Sequence, residues 1–228
     1  MLAGVVVPLP AYRRSVEFGE PSRVDCGSCG APLPPARSLA VRCAACQARW
    51  GPSRFWTVPA GAIAFGGLAW TVEPPLVLAA ALILAALALA LAAIDLAVMR
   101  LPDPLVLIGF CSTVLLLSVD ALAAGGWSDL LRAAEGGAAA FSFYLVLALL
   151  PGASLGFGDV KVAGVMGLLL GYLGWGGVLL LVMVPWVINA PFAVGTLLRH
   201  GRGAVQPFGP ALLAGSLIAI VITAALRR

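Results

Sequence analysis

From Phe55 onward the chain is a series of apolar runs separated by short polar breaks. The runs cover residues 55–72, 76–98, 104–124, 133–150, 161–174, 176–198 and 208–226. The breaks are Glu73-Pro74-Pro75, Arg100-Leu101-Pro102-Asp103, Gly125-Gly126-Trp127-Ser128-Asp129, the glycine-rich stretch Gly152 to Gly158, Gly174 to Gly177, and Arg199 to Gln206. Glycine and proline punctuate each of them. Runs of about 20 apolar residues match the thickness of a bilayer. The pattern therefore predicts an all-α polytopic membrane protein with about seven transmembrane helices over residues 55–228. The run 161–174 is short and fits a tilted, kinked or partly inserted helix. Residues 1–54 break the pattern. They hold seven arginines and four cysteines, and read as a small polar domain that needs a metal to staple it.

Composition sharpens this reading. Of 228 residues, 61% are hydrophobic and 11% charged, against about a quarter charged in soluble domains. The net charge of +4 is too small and too dispersed to argue for nucleic acid. Its distribution matters more. With the N-terminal region in the cytoplasm, the cytoplasmic side receives the seven early arginines plus Arg100, Lys161, Arg199 and Arg202. The far side receives Arg132, Arg227 and Arg228, a balance of eleven against three. That bias favours two helices, not one, over residues 161–198. The first apolar run, Leu2 to Leu9, is too short for a secretory signal. Small-residue runs such as Ala79 to Ala93 and Gly136 to Ala140 suit close helix packing.

Four of the five cysteines form Cys26-Gly-Ser-Cys29 and Cys43-Ala-Ala-Cys46, with thirteen residues between the pairs; Cys111 stands alone. Four thiolates so spaced can close a tetrahedral Zn²⁺ site with no open position, hence structural and not catalytic. Gly27, Ser28 and Gly30 suit the tight knuckle. Redox-active pairs or idle thiols are the competing readings.

The acidic residues supply the second constellation. Asp95 and Asp159 lie at the ends of apolar segments, where an ionisable group is a functional candidate. Two crossings separate them, so both return to the same face. Two neighbouring carboxylates cannot both ionise cheaply, and such a pair can activate water against a peptide carbonyl. The glycines beside Asp159, Gly156 and Gly158, give the backbone room to bend. Asp103 reads as a helix cap, Asp120 as structural, Glu135 as a helix N-terminal charge, and Lys161 as an interfacial lysine able to hold substrate or tune Asp159. The single His200 sits in a basic loop and completes no serine triad. There is no P-loop, no dinucleotide fingerprint, and no internal repeat of a transporter kind. The competing class is a non-enzymatic zinc-ribbon membrane protein, an assembly scaffold or transporter subunit, in which the aspartates are dispensable.

These stretches resemble the prepilin peptidases, bacterial members of the GxGD membrane aspartyl proteases. Ile94-Asp95 with Leu101-Pro102-Asp103 resembles the first catalytic motif, and Gly156-Phe-Gly158-Asp159-Val-Lys161 the second. Gln206-Pro207-Phe208-Gly209-Pro210 resembles a turn before the last helix, and the paired cysteines a zinc-binding cytoplasmic domain. The resemblance implies an aspartic endopeptidase of the bacterial inner membrane, with Asp95 and Asp159 as its catalytic pair and its active site facing the cytoplasm. Its implied substrates are prepilin-like precursors with a short basic leader, serving pilus or secretion machinery. Many members also methylate the new N-terminus with S-adenosylmethionine. Two stretches associated with that step, a leading Gly-Ser-Phe-Leu-Asn-like helix and a Tyr-Pro-x-x-Glu-like run, have no counterpart here, so the cofactor is implied only where methyl transfer is retained.

Overall fold

The computed structural model describes residues 8–16, 21–35, 40–50, 53–150, 155–201 and 206–227. Arg37, Arg202, Arg228 and Gly152, used in the reading above, lie outside them. The described residues form helices and two isolated bridges, Asp25 with Pro32 and Arg42 with Arg49. The helices are α1 (Pro8–Arg14), α2 (Arg54–Thr71), α3 (Pro75–Val98), α4 (Asp103–Ala124), α5 (Trp127–Leu149), α6 (Phe157–Leu173), α7 (Trp175–His200) and α8 (Gly209–Ala225). Four of them, α3, α4, α5 and α7, are long and apolar enough to cross a membrane. Helix α8 is apolar but has 17 residues, about 25 Å at the α-helical rise. Large apolar side chains also point outward, among them Ile63, Trp70, Leu115, Leu179 and Val187. A surface as apolar as the core is what lipid selects and water forbids.

Local chemistry sets the helix ends. Pro75 and Pro104 stand in first turns, where a missing N–H removes nothing from the ladder. Helix α4 stops at Gly125, whose φ of 71° is left-handed, the usual glycine exit. Between α6 and α7 a single residue intervenes, Gly174, with φ 134°. That conformation is closed to residues with a side chain, so the chain does break where charge counting required two helices.

Two boundaries differ from the sequence reading. Helix α5 begins at Trp127 instead of 133, because Asp129 and Arg132 do not interrupt it. Arg132 pairs with Asp129 and donates to the carbonyls of Gly171 and Tyr172, both at 2.8 Å. A guanidinium thus satisfies the exposed C-terminal carbonyls of α6. Glu135 then falls in the third turn, not at the N-terminus. Helix α6 begins at Phe157 instead of 161, which brings Asp159 into its first turn.

The closest packing joins α5 to α6. A Cβ on Gly136 would lie 2.8 Å from Gly171 Cα; one on Gly167, 2.7 Å from the Gly136 carbonyl oxygen; one on Gly171, 2.6 Å from that of Arg132. Backbone therefore touches backbone, the small-residue geometry of membrane helices. On the far side of α6, its core residues Leu169 and Leu170 are fully buried with Leu212 and Ile220 of α8.

Gly167→Val is expected to destabilise the bundle by more than about 2 kcal/mol, the scale of overpacking in a filled core. Gly66→Ala, where no atom lies within 4 Å, is expected to be neutral or stabilising by up to about 1 kcal/mol. Thermal unfolding of both variants in detergent checks the contrast.

Candidate functional site

Asp95 lies in the last turn of α3 and Asp159 in the first turn of α6; both are buried, at 5% and 6% exposure. Asp159 is aimed by a capping bond: its Oδ2 accepts from the Gly156 N–H at 3.2 Å. Its Oδ1 is buried and has no hydrogen-bond partner, and the same is true of Asp95 Oδ2. These two free oxygens converge on one residue. A Cβ on Gly209 would lie 2.6 Å from Asp95 Oδ2 and 3.4 Å from Asp159 Oδ1. The oxygens are therefore at most about 6 Å apart, within the range where carboxylates feel each other's charge. The backbone N–H of Gly209 faces Asp95.

Gly209 is the first residue of α8. Beside it Phe208 is buried between Trp186 of α7 and Tyr144 of α5, with ring centroids 4.9 Å and 6.2 Å away. Tyr144 donates to the Leu181 carbonyl at 3.1 Å. A further link holds the approach to Gly209: Gln206 donates to Asn189 Oδ1 and its side-chain carbonyl accepts from Thr196, each at 2.9 Å. In the sequence, Pro207-Phe208-Gly209-Pro210 stands out only by resemblance, with no role attached to it. Its signal was the Pro-Phe-Gly-Pro punctuation ahead of an apolar run.

The supporting residues sit near by. Gly156 is the N-cap of α6 with an ordinary φ of −78°, so no special backbone freedom is used there. Gly158 is needed for close approach, since a Cβ there would fall 2.9 Å from Leu101 Cβ. Lys161 donates to Asp103 Oδ1 at 2.7 Å, and both are exposed. This corrects the reading of Asp103 as a cap: Pro102 occupies the N-cap, no side chain caps the helix, and Asp103 instead ties the start of α4 to the start of α6. Asp120 accepts from the Tyr172 hydroxyl at 2.7 Å, a link between α4 and α6.

The four cysteines form a second cluster. Their Sγ atoms all lie within 4.8 Å of one another. Cys26 to Cys46 is 3.8 Å and Cys29 to Cys43 is 3.6 Å. Four sulfurs about 2.3 Å from one tetrahedral ion stand about 3.8 Å apart, so the set fits such an ion. Two equivalent turns build it. Gly30 and Gln47 each follow the second cysteine of a pair, and each has positive φ, 70° and 60°. Gly30 donates to the Cys26 carbonyl and Gln47 to that of Cys43. Gly30 was readable as a left-handed turn; Gln47 was not. The Ser28 N–H holds the Cys26 thiol down to about 6 and the Cys46 N–H lowers Cys43, favouring the thiolate at those two positions. At Cys29 the lowering effect of the Ala31 N–H is outweighed by the neighbouring Cys46 and Cys43 sulfurs, which push the thiol up to about 12. Leu9, Leu33 and Trp50 pack around the sulfurs. Cys111 is exposed on α4, apart from the cluster.

A family model for the type IV leader peptidases matches residues 82–226. The chain belongs to the type IV leader peptidase family. The match spans α3 to α8 and so includes both aspartates, Gly209 and the Lys161–Asp103 pair. The comparison indicates a peptidase, and the apolar helices place this leader peptidase in a membrane. No curated protein and no solved structure matches the chain.

Replacing Cys26 and Cys43 together by serine is expected to lower bound metal from one ion per chain to almost none, read by elemental analysis of reduced protein. The same protein should retain the helical circular dichroism of the bundle.

Proposed function

We propose that this leader peptidase is an aspartic endopeptidase that removes leaders from type IV prepilin-like precursors, with Asp95 and Asp159 as its catalytic pair. The observation that carries the reading is the convergence of two buried, unpartnered carboxylate oxygens from different helices on Gly209. Buried acceptors without partners are rare. A shared proton and an attacking water would satisfy both.

The chemistry follows from the pair acting as a unit. The ionised carboxylate takes a proton from water as the oxygen attacks the scissile carbonyl. The protonated partner donates a hydrogen bond to the carbonyl oxygen as charge develops there. Collapse of the tetrahedral intermediate returns a proton to the departing amine, and no covalent enzyme intermediate forms. Both aspartates stand at helix ends, α3 and α6, which suits a substrate whose apolar helix stays in lipid while its leader projects into the cytoplasm. The Lys161–Asp103 tie holds the start of α6 against the start of α4, and the Gly156 N–H aims Asp159.

In the same reading the N-terminal residues 1–54 form a cytoplasmic domain in which Cys26, Cys29, Cys43 and Cys46 hold one structural Zn²⁺. Residues 55–228 form the peptidase domain, with all seven long helices crossing the inner membrane of a bacterium. Pilus or secretion machinery would take up the product. S-adenosylmethionine would enter only for methylation of that product, and no residue is assigned to it.

Asp95→Asn and Asp159→Asn are each expected to slow cleavage by about 100-fold or more, and the double variant to be no slower than either. Asp103→Asn should keep substantial activity. Co-expression with prepilin-like precursors, read as leader removal on a gel, checks this; near wild-type processing by an inserted Asp95 or Asp159 variant would overturn the pair. For orientation, reporter fusions at Gly126 and Gly176 are expected to report the outside and one at Gly201 the cytoplasm.

A further inference from the structure

We propose that the crevice between α1, the cysteine knuckles and the last turn of α3 binds the phosphate headgroup of an anionic lipid. The crevice has a volume of about 400 Å³. One wall carries the guanidinium groups of Arg23 and Arg49 with Tyr12; the other is the apolar end of α3, at Leu96, Ala97 and Val98. A basic wall facing an apolar one, at the end of a spanning helix, matches a molecule with a phosphate at one end and hydrocarbon at the other.

The basic wall is held in place. Tyr12 stacks on buried Trp50 and its hydroxyl accepts from the Gly27 N–H at 2.9 Å. Arg23 lies over the Tyr12 ring, 5.2 Å from its centroid, which orients its donor fork. The backbone at Arg49 is pinned by its bridge to Arg42. Neighbouring cations are engaged elsewhere: Arg13 donates to the Leu33 and Pro34 carbonyls, and Arg100 to that of Val16. Among the described residues neither Arg23 nor Arg49 has a carboxylate partner. Asp25 is exposed, and Asp95 is buried against Gly209. Two arginine forks can share the oxygens of one phosphate. Soluble phosphate would use the guanidinium groups but leave the α3 wall bare. Leu96, 63% exposed, gives an acyl chain a surface continuous with the bilayer.

The test counts lipid on the intact protein. Wild-type chain is purified in neutral detergent, equilibrated with equal amounts of phosphatidylglycerol and phosphatidylcholine, and weighed by native mass spectrometry. Preferential retention of one phosphatidylglycerol is expected. Arg23→Gln with Arg49→Gln should weaken it by about tenfold or more, each basic residue contributing to anionic-lipid attraction. Arg23→Lys with Arg49→Lys, which keeps the charge and the fold but loses the fork, should fall between the two. Arg42→Gln, outside the crevice, should match wild type. Equal retention of the two lipids, or undiminished retention by the glutamine double variant, overturns the proposal. Displacement of the lipid by excess inorganic phosphate overturns the lipid assignment in favour of a soluble phosphate.

Discussion

Contact of backbone with backbone along α5 and α6 is the constraint on which the rest of the bundle depends. In lipid no hydrophobic force draws helices together, so association rests on close van der Waals approach and on polar groups satisfied between helices. Gly136, Gly167 and Gly171 bring backbone against backbone along the seam, while Gly137 and Gly164 leave room for the side chains of Leu168 and Phe141. At one end, Arg132 donates to the last carbonyls of α6 and closes the seam with hydrogen bonds. The register of α6 is thereby fixed from its C-terminal end, and its N-terminal turn, with Asp159, is held at a set depth.

The carboxylate pair depends on that rigidity. An ionisable group at membrane depth is expensive, and neither free oxygen here has a protein partner. The surroundings hold them without neutralising them. Glycine brings the start of α8 against both side chains, the Gly156 amide aims one of them, and the Tyr144, Phe208 and Trp186 rings fill the space behind Gly209. The nearest cation on the same helix, Lys161, is committed to Asp103. In Coulombic terms the pair is left to itself, which suits the proton sharing proposed for it.

Much of this was legible from hydropathy and punctuation. Gly174 and the charge balance separate α6 from α7, and the two Cys-x-x-Cys units announce a compact cluster able to hold a metal. Features set by tertiary pairing were hidden. Nothing local shows that Asp129 and Arg132 are neutralised inside a helix, so the start of α5 was placed six residues late. Nothing local distinguishes Asp103 as a cap from Asp103 as a partner of Lys161, 58 positions away. Gly209 was readable as a turn, but its place between two aspartates depends on three helices meeting. Helix α1 was missed because its seven residues are too few to be stable except through packing.

That short helix ties two distant chemistries together mechanically. Leu9 on α1 is buried among the cysteines, while Ala11, two residues on, is buried against Ala93 and Ile94 of α3. Ile94 is the immediate neighbour of Asp95. A shift in the sulfur cluster has a rigid path of one helical turn to the strut that carries a buried carboxylate. Any coupling along that path is reciprocal by thermodynamic necessity: an ion held by the four sulfurs would brace the end of α3, and a constraint on that end would be felt at the sulfurs.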